Sequence, residues 1–210
     1  MFKRFLKIAL FIPTLALASE CPQLYHTPFK AENTIEFCKS FFVVVYDDTK
    51  DRPIFSSERI DHSLVRHDID LSRIKFYDEN DPRVSYDEKH HPDNYDRGHL
   101  TPASDTVNEK QFHDTFTYIN TVPQNPSINR GVWRVLEDKV RHIAVTRDKP
   151  TIIVTGGIYG DDDNIPIMIY KIVFANETKA YLVDNHKGAK VRETTVNIIE
   201  KLTQLELDGL

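Results

Sequence analysis

Tyr95-Asp96-Arg97-Gly98-His99-Leu100-Thr101-Pro102-Ala103 is the stretch on which the reading of this chain turns. A second polar constellation follows at short range, made of Asn120, Gln124, Asn129, Gly131, Trp133 and Glu137. Imidazole titrates near neutrality, so His99 can accept a proton from water at physiological pH. The amide oxygen of Asn129 is a hard, uncharged donor of the kind that suits Mg²⁺, an ion that keeps most of its water. A histidine, a neutral asparagine and a carboxylate this close together point to a water-activating base beside a lightly held metal ion. That combination suits the hydrolysis of phosphodiesters.

The segments around this centre have readable periodicity. Trp133, Leu136, Val140 and Ala144 recur at helical spacing, which predicts a helix over 129–146 with Arg130, Arg134, Glu137 and Arg141 on another face. Asn129 stands at its start, where capping residues are favoured. Phe41-Phe42-Val43-Val44-Val45-Tyr46 predicts a buried strand, residues 47–51 a turn, and Pro53-Ile54-Phe55-Ser56-Ser57 a returning strand. Residues 60–95 read as a polar, irregular excursion, and 105–116 as a short helix. Strands are expected over 151–154, 167–174 and 180–183, and a last amphipathic helix over 193–205. Mixed strands and helices without a βαβ rhythm indicate an α+β fold.

At 210 residues the chain is long enough for one domain with a sizeable core. Residues 1–18 differ from the rest. Lys3, Arg4 and Lys7 precede a short apolar run, and Ala16-Leu17-Ala18 offers small residues for cleavage. The segment reads as a secretory signal peptide, too short for a membrane span. Residues 19–210 then form the single domain, with 19–40 as an N-terminal arm. Export, periplasmic or secreted, places Cys21 and Cys38 in an oxidising compartment, and as the only two cysteines they are expected to pair. Closing that loop contributes roughly 3 kcal/mol in the chain-entropy model. Removing residues 1–18 takes away three positive charges and no acid, so the formal net charge moves from −5 to −8. A net-acidic chain is a poor general binder of nucleic acid. It can still hold phosphate locally, with a few arginines and a divalent cation.

The two polar blocks, Asp96-Arg97-Gly98-His99 and 118–137 with its Asn-x-x-Pro-Gln, resemble the DNA/RNA non-specific endonuclease family, the ββα-metal nucleases. The resemblance extends to 41–46, 155–157 and 166–171, and leaves 19–40 uncovered. It implies a central antiparallel sheet flanked by helices, with a ββα finger carrying the site. It further implies that His99 activates the attacking water, Asn129 binds Mg²⁺ (or Mn²⁺) directly, and Glu137 reaches the ion through water. Asn120 would fix the histidine loop and Asp96 would support the finger. Arg97, Arg141 and Arg73 would contact phosphate, since guanidinium forks match its oxygens. The substrates implied are DNA and RNA, cut with little sequence preference.

Each residue also has a plainer reading. Asn129 is a helix cap in one, and Glu137 a solvated carboxylate paired with Arg141 in the other. Lys89-His90-His91 is a weak ligand set, because neighbours on a strand point to opposite faces. Asp161-Asp162-Asp163 reads as a solvated turn. Gly156-Gly157-Ile158-Tyr159-Gly160 lacks the Gly-Lys-Ser/Thr of a phosphate loop. A phosphodiesterase of narrower range and a catalytically inactive nucleic-acid-binding protein on the same fold are the rival functions.

Overall fold

Val43 and Val45 pack on one side of their strand, and Phe42, Val44 and Tyr46 on the other, all of them buried. This explains why 41–46 is apolar throughout rather than alternating: both faces of the sheet are covered. The computed structural model describes residues 21, 33–61, 74–160 and 164–207. The leader-like segment 1–18, Arg73 and the triplet 161–163 lie outside the described residues.

The strands are β1 (Thr34–Cys38), β2 (Phe42–Asp47), β3 (Arg52–Ile60), β4 (Asp96–His99), β5 (Thr121–Gln124), β6 (Thr151–Ile158), β7 (Met168–Phe174), β8 (Lys179–Asp184) and β9 (Arg192–Thr194). The helices are α1 (Glu109–Thr115), α2 (Arg134–Val145) and α3 (Val196–Thr203). Seven strands form one antiparallel sheet in the order β1-β2-β3-β6-β7-β8-β9. The fold is therefore α+β around an antiparallel sheet, as the sequence indicates. α3 covers one face, burying Ile199 with Val43, Phe55, Val154 and Ile172. α2 covers the other, where Trp133, Leu136, Val140 and Ala144 meet Ile153, Ile169, Val173 and Val183. The apolar stripe read from the sequence is the face that docks.

β4 and β5 form a separate two-stranded ladder, with Asp96 opposite Gln124 and His99 opposite Thr121. A π-helical turn, Ile128–Trp133, leads from β5 into α2 and contains the kinked residue Gly131. Together they make the ββα finger.

Several expectations are corrected. Residues 192–194 pair with β8, so the final helix begins only after Thr195, whose side chain caps it at Ile198. Sheet-edge pairing overrides the helical periodicity there. The helix at 105–116 is shorter, since Asn108 accepts from Gln111 N at 2.9 Å and so sets its start. The arm contains β1, and Cys38 at its end is disulfide-bonded to Cys21 with Cα atoms 5.8 Å apart. The excursion over 60–95 carries a 3₁₀ turn, Glu88–His90, and a bridge between Tyr77 and Thr117. Asn129 is no cap. Asn125 caps the helical run instead, its Oδ1 accepting from Ser127 N and Oγ at 3.1 and 2.8 Å and its carbonyl from Asn129 N at 3.0 Å.

Candidate active site

Gly98 sits between Arg97 and His99 on β4 with Gln124 of β5 pressed against it. A methyl group there would lie 2.2 Å from Gln124 Oε1 and 2.6 Å from its Cβ. The glycine is required by this close approach and not by an unusual φ, since Gly98 has no positive φ. The approach keeps the two strands flush and sets His99 at the end of the ladder.

His99 lies between two rings, Phe76 at 5.4 Å and Phe116 at 5.1 Å between centroids. Its Nε2 is buried and without a hydrogen-bond partner among the described residues. Burial draws its pKa down to about 4. At neutral pH the imidazole is uncharged and one ring nitrogen has a lone pair able to accept a proton.

The chain after His99 is pinned by Asn120. Asn120 is fully buried. Its Oδ1 accepts from Thr101 N, and its Nδ2 donates to Thr101 O and Thr115 O, each at 3.0 Å. Leu100 N adds a bond to Asn120 O at 2.8 Å. All the polar atoms of this amide are thus spent on backbone, a fully satisfied buried group.

Asp96 begins β4 and reaches across to the π-helical turn. Asn129 Nδ2 donates to its Oδ2 at 2.9 Å, and Arg130 donates to both oxygens at 2.8 and 2.5 Å. Burial would raise the carboxyl, but Arg130 and Asn129 together bring it below its ordinary range. Because the amide nitrogen of Asn129 faces a carboxylate, its oxygen is the end left for another partner.

Glu137 is half-buried and makes no hydrogen bond or ion pair with a described residue. Burial pushes its carboxyl up to about 7, with Lys171 opposing and Asp105 adding to the rise. Arg141 does not pair with it. Arg141 instead binds Asp105 and Ser104, and Asp138 at 2.7 Å. Arg97 pairs with Glu88 and lies 5.5 Å from the Phe76 ring and 5.9 Å from that of Tyr118.

Among the described residues no three His, Cys, Asp or Glu side chains gather as a ligand set for a metal ion. The oxygen donors present are instead the Asn129 amide and the Glu137 carboxyl, which has no hydrogen-bond partner among the described residues. This set fits a well-hydrated hard cation, bound by few protein atoms.

The finger thus brings together His99, Asn120, Asn129, Asp96 and Arg97. Sequence reasoning missed Arg130, Phe76, Glu88 and Asn185. Arg130 was legible only as part of the polar face of the predicted helix, with nothing to give it Asp96 as a partner. Asn185 follows β8 and pins β5 to the sheet, through Pro123 O at 2.9 Å, Pro166 O at 2.8 Å and Asn125 N at 2.8 Å. Nothing in local spacing marks it.

A sequence model described as DNA/RNA non-specific endonuclease matches residues 22–208, taking in the arm that the motif reading left uncovered. The chain is 37% identical over 103 residues to a salivary endonuclease of Lutzomyia longipalpis, covering 41% of this chain and 25% of that protein. It is 30% identical to a nuclease of Serratia marcescens, over 52% of this chain and 49% of that protein. It is 26% identical to the human mitochondrial nuclease EXOG, over 71% of this chain and 46% of that protein. The chain spans a quarter to half of the length of these relatives. A chain in the crystal structure of the EndoG/EndoGI complex superposes with a TM-score of 0.71, covering 93% of this chain and 94% of that chain. At 22% identity this likeness speaks to the fold.

Proposed function

Because the chain belongs to the DNA/RNA non-specific endonuclease family, we propose that it is a Mg²⁺-dependent nuclease hydrolysing phosphodiester bonds of DNA and RNA with little sequence preference. The observation that carries this reading is the pairing of a neutral, unpartnered His99 Nε2 with an Asn129 whose amide nitrogen is tied to Asp96. One group has room for a proton and the other has a free oxygen donor.

His99 takes a proton from a water molecule as that water attacks phosphorus in line. The new P–O bond forms as the bond to the 3′ oxygen breaks, leaving a 5′ phosphate and a 3′ oxygen that is protonated by solvent. No covalent enzyme intermediate is required. Asn129, with Glu137 acting through water, would hold a divalent cation, Mg²⁺ or Mn²⁺, to offset the negative charge that builds in the transition state. Asn120 keeps the backbone after His99 in place while the ring turns over protons. Arg97 and Arg141 serve phosphate, exchanging their present carboxylate partners for it. Arg73 is proposed for the same role.

Action outside the cytoplasm is part of the proposal. It is supported by the Cys21–Cys38 bridge and by the leader-like composition of residues 1–18. Among the described residues no helix is long and apolar enough to cross a membrane.

Plasmid DNA and ribosomal RNA incubated with the protein, with and without EDTA, test the activity. Degradation of both without a fixed banding pattern, abolished by EDTA, is expected. Cleavage at one short sequence, or undiminished cleavage in EDTA, would overturn the reading. Mass spectrometry of exported protein tests the location, with an N-terminus near Ser19 and no free thiol expected.

A further inference from the structure

Lys171 is a lysine in the sheet interior, 1% exposed. Ser56, Thr155 and Lys171 stand side by side on β3, β6 and β7. This row lies on the face that carries the finger, since Thr101, just beyond His99, donates to Ser56 Oγ at 3.0 Å. Lys171 Nζ donates to Thr155 Oγ1 at 2.6 Å. An ammonium has three donors, and this hydroxyl takes one.

Above the row sits the start of α2. Nζ lies 5.6 Å from the Trp133 ring centroid. Glu137 follows Trp133 by one turn and so shares its face of the helix. Glu58, two residues from Ser56 on the same side of β3, is 1% exposed with both carboxyl oxygens lacking a hydrogen-bond partner among the described residues. Asp105 comes from the turn after β4 and is also buried. The charge of Lys171 acts on all three acids and is the strongest opposing charge at Glu137, whereas Arg141 is stronger at Asp105. Acidic groups from three separate elements therefore gather around two cations, the buried Lys171 and the Arg141 that pairs with Asp105. Apolar side chains would fill this space at lower desolvation cost, so packing alone does not account for it.

We propose that Lys171 is a positioning residue for the metal site: its buried ammonium seats the start of α2 on the sheet and sets the stance of the Glu137 carboxylate. The inference rests on the reading of Glu137 as a water-mediated partner of the cation. Residues that orient a metal site from behind typically change metal affinity or activity by about 10- to 100-fold when lost.

The test measures Mn²⁺ binding by calorimetry without nucleic acid, alongside a Mg²⁺ titration of plasmid cleavage, for Lys171→Met, Lys171→Arg and Thr155→Val. Circular dichroism gives the folded fraction. Lys171→Met should bind Mn²⁺ about 10-fold or more weakly, and need correspondingly more Mg²⁺, with KM for DNA at saturating Mg²⁺ unchanged. Lys171→Arg keeps the charge and should recover most of the loss. Thr155→Val frees Nζ from its anchor and should shift Mn²⁺ binding the same way by a smaller factor. Parental Mn²⁺ affinity in folded Lys171→Met overturns the proposal; should that variant not fold, parental affinity in Thr155→Val does so. A parent protein that neither binds Mn²⁺ nor cleaves would instead overturn the functional reading.

Discussion

Asn129 donates its side-chain amide to Asp96 at 2.9 Å, which joins the first residue of β4 to the turn that opens α2. The bond links the two halves of the finger and decides which end of the amide is left for a cation. Arg130 clamps both oxygens of the same carboxylate.

Replacing Asp96 tests this link. Asp96→Ala removes the acceptor that orients the amide and releases Arg130. Mn²⁺ affinity should fall by about 10- to 100-fold, the range seen for lost supports of metal ligands. Calorimetry on the folded variant measures it directly. Unchanged affinity would mean that Asn129 is oriented by something else.

His99 and Asn129 should fail in different ways. His99→Ala should slow cleavage by about 10²–10⁴-fold while leaving the Mg²⁺ requirement near that of the parent. Asn129→Ala should raise the Mg²⁺ concentration needed for half-maximal rate. A Mg²⁺ titration of both variants separates the roles. Parental cleavage by His99→Ala is incompatible with the mechanism.

Gly98→Ala should destabilise the protein by about 1–3 kcal/mol, the usual cost of overpacking. The nearest atoms to the added methyl all belong to the Gln124 side chain, at 2.2 Å to Oε1 and 2.6 Å to Cβ. Gly98→Ala with Gln124→Ala should therefore recover part of the loss. Urea denaturation decides, and a single variant as stable as the parent would show that the strands can separate without cost.

Acid should destabilise the fold through His91 and His99. Burial holds both imidazoles down to about 4. The unfolded chain binds these protons near pH 6.5 and the folded chain only near 4, so stability is full above about 6.5 and is lost as pH falls toward 4. His91 bonds Thr121 Oγ1 at 3.0 Å through Nε2. His91→Gln removes one of the two proton sites, so its Tm should drop less than the parent's between pH 7 and pH 5. An equal or larger drop would assign the acid sensitivity to other groups.

The sequence by itself determined the class of fold, the motif of the finger and the docking face of α2. These follow from local facts. A 3.6-residue stripe of apolar side chains marks a helix that must bury one side, and apolar runs rich in β-branched residues mark covered strands. The tertiary structure alone decided the partners of the polar groups. Asp96 finds Asn129 and Arg130 from more than thirty residues away. Arg141 turns to Asp105 and Asp138 rather than to Glu137 four residues earlier. Lys171 lies under Trp133 because sheet register places it there. Strand pairing likewise claimed Arg192–Thr194 from what reads as a helix, and drew β1 out of the arm. Periodicity reports how much of a segment is buried, whereas hydrogen bonds and charges depend on what the rest of the chain brings opposite it.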